Sequence, residues 1–176
     1  MNCFIIAALS ADGYIAKDAS APSTAWTSAE DKKRFVELTT RAGVVVMGQN
    51  TWKTLGGRAL KRRLNVIYSL ERLPDMPPDV EIASKTPAEL LAELAVRGFK
   101  EVAICGGSQI YTMFMKSGLV NKLYLTIEPV IFGDGVRLFK EAMDLRLKLA
   151  DSTSTESGTL FLEYSVITIG GGKAVI

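Results

Sequence analysis

The sequence contains no histidine. That removes serine–histidine and cysteine–histidine catalysis, imidazole metal sites and an imidazole general base. Cysteine is nearly absent as well: Cys3 and Cys105 are the only two, far apart and each inside an apolar run. Two thiols alone make no zinc site, and these settings suit reduced core thiols of a cytosolic protein. No apolar run reaches the ~18 residues of a membrane span. The opening MNCFIIAALSADG is only briefly apolar and has no basic segment before the apolar stretch, so it reads as a buried strand rather than a signal peptide. No block of one charge sign exists either; the net charge of +2 is spread over interspersed residues, which argues against a nucleic-acid surface. These absences predict a cytoplasmic protein with no metal, no nucleic acid and no membrane partner. Chemistry is left to carboxylates, hydroxyls, cationic side chains, backbone groups or a bound cofactor.

What is present is an ordinary globular composition over 176 residues, 48% hydrophobic and 23% charged. One domain with a full core is expected, over residues 1–169, followed by a frayed tail at 170–176. A buried strand over residues 2–9 ends at an Asp-Gly turn, and residues 16–25 read as a loop. Thr27 and Ser28 are both N-cap candidates, each with an acid three residues on, Glu30 and Asp31. The helix they open runs to about residue 41. Phe35, Leu38, Thr39 and Ala42 share one side, while Lys32, Lys33, Arg34, Glu37 and Arg41 mostly face water.

Gly43 stops that helix. Short strands follow at 44–47, 64–69, 80–83 and 101–105. Helices open at Gly48, at Thr86-Pro87 and at Ser108. From Lys122 onward strands dominate, and residues 145–153 and 159–168 form an antiparallel pair. This order predicts an α/β fold: a mostly parallel central sheet with an antiparallel C-terminal edge and helices on both faces.

Ligands of open α/β sheets sit at the carboxyl ends of strands. Three junctions here are suited to that: MGQNT at 47–51, CGGSQIY at 105–111, and the helix of Asp31, entered from the loop after the first strand. Glycines after a buried strand allow close approach to the backbone, and the following helix offers free N–H groups to phosphate. Each feature alone has a plain structural reading. Paired glycines serve helix–strand packing, tryptophans fill cores, and an acid in a first helical turn stabilises it by about 0.3–1 kcal/mol.

In combination, Trp26, Asp31, Phe35 and Thr39 at their spacing, followed by MGQNTW, RRLNVIYS, ICGGSQIY and KLYLT, resemble the dihydrofolate reductases over roughly residues 2–165. The resemblance implies a dihydrofolate-reductase-like fold, NADPH as cofactor, dihydrofolate as substrate, and a monomer with a homodimer as the alternative. It implies catalytic roles for Asp31, Trp26 and Thr126. Asp31 would bind the pterin's 2-amino group and N3, a planar edge that matches two carboxylate acceptors, and Thr126 would orient that edge. Ala8, Phe35, Leu55, Leu60, Arg63, Cys105 and Tyr111 are the implied substrate contacts, Arg63 gripping the substrate's carboxylate. Ala8, Ile15, Gly48, Gln49, Asn50, Thr51, Ser69, Arg72, Gly106, Gly107, Ser108, Gln109 and Ile110 are the implied cofactor contacts.

Gln49 and Gln109 stand where many members of the family carry cations, and Glu71 opposes Arg72. The chain also resembles the related pyrimidine reductase of riboflavin synthesis, through SADGYIA at 10–16 and IEPVIFGDG at 127–135. That branch would reduce a phosphorylated ribosylamino-pyrimidine. A third alternative is a dinucleotide-binding module without activity.

Overall fold

The first strand divides its side chains between two cores. Cys3, Ile5, Ala7 and Leu9 enter one and Phe4 and Ile6 the other. A strand buried on both faces reads as an unbroken apolar run, which is why this segment shows no polar alternation. The computed structural model describes residues 1–69 and 76–167. The expected Arg72 contact and the tail at 170–176 lie outside those residues.

In chain order the strands are β1 (Asn2–Ser10), β2 (Tyr14–Ala16), β3 (Val44–Gly48), β4 (Leu64–Tyr68), β5 (Val80–Ala83), β6 (Glu101–Ile104), β7 (Lys122–Glu128), β8 (Val136–Arg137), β9 (Arg146–Ser154) and β10 (Leu160–Ile167). The helices are α1 (Ala29–Ala42), α2 (Gln49–Thr54), α3 (Pro87–Val96) and α4 (Ser108–Lys116). Eight strands form one sheet in the order β5-β4-β3-β6-β1-β7-β10-β9. The pairings from β5 to β7 are parallel, and β10 runs antiparallel to both β7 and β9. The predicted mostly parallel sheet with an antiparallel C-terminal edge is therefore the observed one.

Helices cover both faces. Leu90, Leu91 and Leu94 of α3 and Ile110 and Phe114 of α4 pack with the core that receives Cys3 and Ile5. Ala42 of α1 and Trp52 of α2 join the core that receives Phe4 and Ile6. Ser28 is the N-cap of α1, its hydroxyl accepting from the Asp31 N–H at 3.1 Å. Thr86 caps α3 with Pro87 at its first position, as expected, and Glu89 completes a capping box with it.

Three features differ from the sequence reading. Residues 16–25 contain a single 3-10 turn at Ser23–Ala25 rather than only loop. β2 pairs with β8 as a second, two-stranded sheet, too short to leave a periodic signal. Arg34, expected to face water, is partly buried: its guanidinium donates to Leu125 O at 3.1 Å and Leu162 O at 3.4 Å. Its planar group also lies 4.6 Å from the Phe161 ring centroid, and such stacking compensates a cation for lost water.

The loop after β1 is fastened to the loop after β7. The Asp12 carboxylate accepts from the N–H of Phe132 at 3.2 Å and of Gly133 at 2.7 Å, and Trp26 packs edge-to-face on Phe132. Gly135 sits so close to β2 that a Cβ there would lie 2.4 Å from Ala16 O. Among the described residues no helix is long and apolar enough to cross a membrane.

Candidate active site

β1, β3 and β6 run parallel, so their carboxyl ends and the segments that follow meet on one side of the sheet. There they border a cleft of about 660 Å³. Sixteen of the expected site residues line it: Ala8, Ile15, Asp31, Phe35, Gly48, Gln49, Asn50, Thr51, Ser69, Cys105, Gly106, Gly107, Ser108, Gln109, Ile110 and Tyr111. Trp26, Leu55, Leu60, Arg63 and Thr126 are not on its wall.

Thr126 stands behind Asp31. The hydroxyls of Thr126 and Thr27 both hydrogen-bond to the Asp31 carboxyl. Burial pushes this group above the usual aspartate range and the nearby Glu128 adds to the rise, while the two hydroxyls and the Arg34 charge oppose it. Both cap candidates of the sequence are thus used, Ser28 at the helix backbone and Thr27 at the carboxyl. Phe35 lies one turn further along α1.

Arg63 is turned toward α1. Its Nη1 donates to Thr39 Oγ1 and its Nε to Lys61 O. The loop that carries it is held by Asn65, whose side chain bonds Leu60 N, Leu60 O and Arg63 O. Leu55 and Leu60 pack with Phe35 on the core around Trp52. Tyr111 is buried, its hydroxyl donating to Ile6 O at 2.7 Å, and burial raises it well above the ordinary tyrosine range. Burial likewise pushes the Cys105 thiol up to about 12, where it both packs against the core around Trp52 and lines the cleft, so no thiolate is available there.

The other half of the cleft is a backbone cradle. Gly48 N donates to Gly106 O at 2.7 Å. A Cβ on Gly48 would lie 3.1 Å from Ile110, and one on Gly107 would lie 3.3 Å from Thr51 Oγ1. At the start of α4 the N–H groups of Ile110 and Tyr111 donate to Gly107 O, while those of Ser108 and Gln109 have no intrahelical partner. Among the described residues Ser108 Oγ, Tyr68 OH and Trp26 Nε1 are buried without a hydrogen-bond partner, and the first two belong to residues of the cleft wall. Free helix-start donors beside an unpartnered hydroxyl fit a phosphate of a dinucleotide. Gln49 Oε1 accepts from Ser69 Oγ at 3.0 Å. Lys85 and Lys140 also border the cleft, Lys85 pairing with Glu93.

Several site residues were not singled out by sequence. Lys85 and Lys140 arrive from distant loops and carry no local signal. Glu128 falls inside the IEPVIFGDG string, yet nothing in its spacing marks it as buried. Asn65 falls in RRLNVIYS, where an asparagine inside an apolar strand is a legible anomaly.

Known proteins place this geometry. The dihydrofolate reductase family model matches residues 2–158. A dihydrofolate reductase of Staphylococcus haemolyticus is 32% identical over 122 residues, covering 69% of this chain and 67% of that protein. One from Buchnera aphidicola is 30% identical over 135 residues, covering 76% of this chain and 77% of that protein. The fold is shared with a pyrimidine reductase-like protein of Corynebacterium diphtheriae, at a TM-score of 0.79 and 21% identity over 95% of this chain and 92% of that one. Sheet order, cleft and family match agree: the chain belongs to the dihydrofolate reductase family and is a reductase of that fold.

Proposed function

We propose that the protein reduces 7,8-dihydrofolate to 5,6,7,8-tetrahydrofolate with NADPH. The observation that carries this reading is the partly buried Asp31 carboxyl on the cleft wall, bonded by Thr126 and Thr27, with Phe35 one turn away. A carboxylate so fixed offers two acceptors in one plane to an amidine edge. Thr126 holds the carboxyl in that plane, and Phe35 offers a ring to the substrate's aryl group. Ala8 and Ile15 would flank a reduced nicotinamide, which when bound would supply the hydride. Asp31 polarises the pterin, and the family resemblance implies that the proton for N5 comes through water; the chain has no histidine to deliver it. Ser108, Gly107 and Gly48 would hold the dinucleotide's phosphates, with Gln49, Ser69 and Gln109 nearby.

The orientation of Arg63, donated to Thr39 rather than presented on the cleft wall, favours a second reading. It is NADPH-dependent reduction of a ribosylamino-pyrimidine, which the likeness to the Corynebacterium protein also supports. NADPH oxidation is followed with dihydrofolate and with the ribosylamino-pyrimidine in parallel. Turnover with dihydrofolate is expected; turnover with the pyrimidine alone replaces the first reading by the second, and none with either removes both.

Cofactor choice is a further expected result. With Gln49 and Gln109 uncharged, preference for NADPH over NADH should be weak for this family. One charge-assisted hydrogen bond is worth about 1.5–3 kcal/mol, a factor of ten or more. Gln49→Arg should therefore tighten NADPH by roughly that factor and leave NADH nearly unchanged, as read by fluorescence titration. Equal effects on both cofactors would show that residue 49 does not face the 2′-phosphate.

A further inference from the structure

Glu128 is a carboxylate only 3% exposed. Its Oε1 accepts from the backbone N–H and the hydroxyl of Ser28, both at 2.8 Å, and its Oε2 accepts from Thr159 Oγ1 at 2.8 Å. Ser28 Oγ in turn accepts from Asp31 N–H. A line of hydrogen bonds therefore joins the Asp31 backbone to Glu128 through the helix cap. A serine alone caps a helix, and a buried carboxylate is costly to desolvate, so capping does not explain Glu128.

Its place on β7 offers an explanation. Thr126, two residues earlier and hence on the same face of the strand, bonds the Asp31 carboxyl. One strand thus grips Asp31 at its side chain and at its helix start. Arg34, one turn along α1, adds a third point through Leu125 O, the residue next to Thr126, and through Leu162 O on β10. Its guanidinium is stacked at 4.6 Å from the Phe161 centroid and 5.5 Å from that of Tyr124. The charged groups acting on Asp31 are Glu128 from β7 and Arg34 from α1 itself. Glu163 on β10 and Asp151 on β9 act on Arg34 from behind.

We propose that Glu128 and Arg34 are positioning residues for Asp31: they lock the first turn of α1 against β7 and set one charge of each sign beside the carboxyl group. The kinetic part of this inference rests on the function proposed above; the electrostatic part does not.

The test is a carbon-13 NMR titration of the Asp31 carboxyl in the ligand-free protein, assigned with Asp31→Asn. In Glu128→Gln the midpoint is expected to move down, because a negative neighbour is gone. In Arg34→Gln it is expected to move up, because a positive one is gone, and Arg34→Lys should bring it back toward the wild-type value. Midpoints that stay put, or that move the same way in both variants, overturn the proposal. With active enzyme, both glutamine variants should lose kcat on the order of tenfold or more, as misplacement of a binding group does, and their pH profiles should shift in the same opposite directions. If Glu128→Gln does not fold, Thr159→Val loosens the same carboxylate and keeps its charge. That variant must lower kcat without moving the midpoint, and an unchanged kcat sinks the clamp. A wild type without turnover overturns the functional reading alone, and the NMR titration still decides this one.

Discussion

Asp31→Asn is expected to cut turnover on dihydrofolate a hundredfold or more while leaving NADPH binding intact. Two charge-assisted hydrogen bonds to the pterin edge, at about 1.5–3 kcal/mol each, set that scale. Asparagine keeps the size but offers one acceptor in place of two and carries no charge. The stability arm has a definite sign. Burial raises the Asp31 pKa in the folded state, so the folded protein binds this proton more tightly than the unfolded chain. Its contribution to stability is then full below the unfolded pKa and declines as pH rises through the folded value. At neutral pH Asp31→Asn should melt no lower than wild type. An acid that served only the first turn of α1 would behave the other way, with activity kept and about 0.3–1 kcal/mol of stability lost. Activity and melting temperature of this one variant at two pH values, near 4 and near 7.5, separate the two roles.

Asn65→Ala should be among the most destabilising single changes outside the apolar core. Asn65 is fully buried in β4, and its amide bonds both backbone groups of Leu60 and the carbonyl of Arg63. Alanine leaves those three groups unpaired in a segment without other support from this residue. Each unsatisfied buried group costs about 1–3 kcal/mol. Allowing for partial relaxation, a loss of about 2–4 kcal/mol is expected, or a fall in melting temperature of roughly 5–15 °C for a chain of this size. The same loop carries Leu60 and Arg63, which lie off the cleft wall, so kcat and KM of the folded variant should change little. A melting temperature within 2 °C of wild type, by scanning calorimetry, would show that the loop holds its own shape.

Those two residues also mark what a sequence makes legible. The helix start that carries Asp31 was readable because it announces itself through its cap residues, whereas the role expected of Asp31 came from the family resemblance of Trp26, Asp31, Phe35 and Thr39 at their spacing. The parallel sheet was readable because doubly buried strands such as 2–9 and 44–47 are apolar without alternation. The antiparallel edge followed from the late run of strands. Arg34 was misjudged for a definite reason: helical periodicity assigns a charged residue to water, and only the third dimension brings Phe161, Leu125 and Leu162 up to receive it. Arg63 sits in an expected motif, yet its partner, Thr39, is fixed by how α1 crosses the sheet. Glu128 was hidden because its partners lie at residues 28 and 159, on either side of it in the chain and far from it in sequence.

The close approach of Gly135 to β2 bears on which variants of this protein a selection can return. Gly133 and Gly135 are both glycine, but for unlike reasons. Gly133 has a φ of +79° and open space around it, so asparagine, which tolerates that region, is the natural replacement. Gly135 has no such angle; it lacks room, with the Ala16 carbonyl and the Tyr14 side chain occupying the volume of any added carbon. In a saturation library scored for activity, position 133 should therefore yield a small set of survivors led by asparagine. Position 135 should yield glycine alone, because even alanine would push β8 away from β2 and, with it, Ile15 and Val136 from the mouth of the cleft.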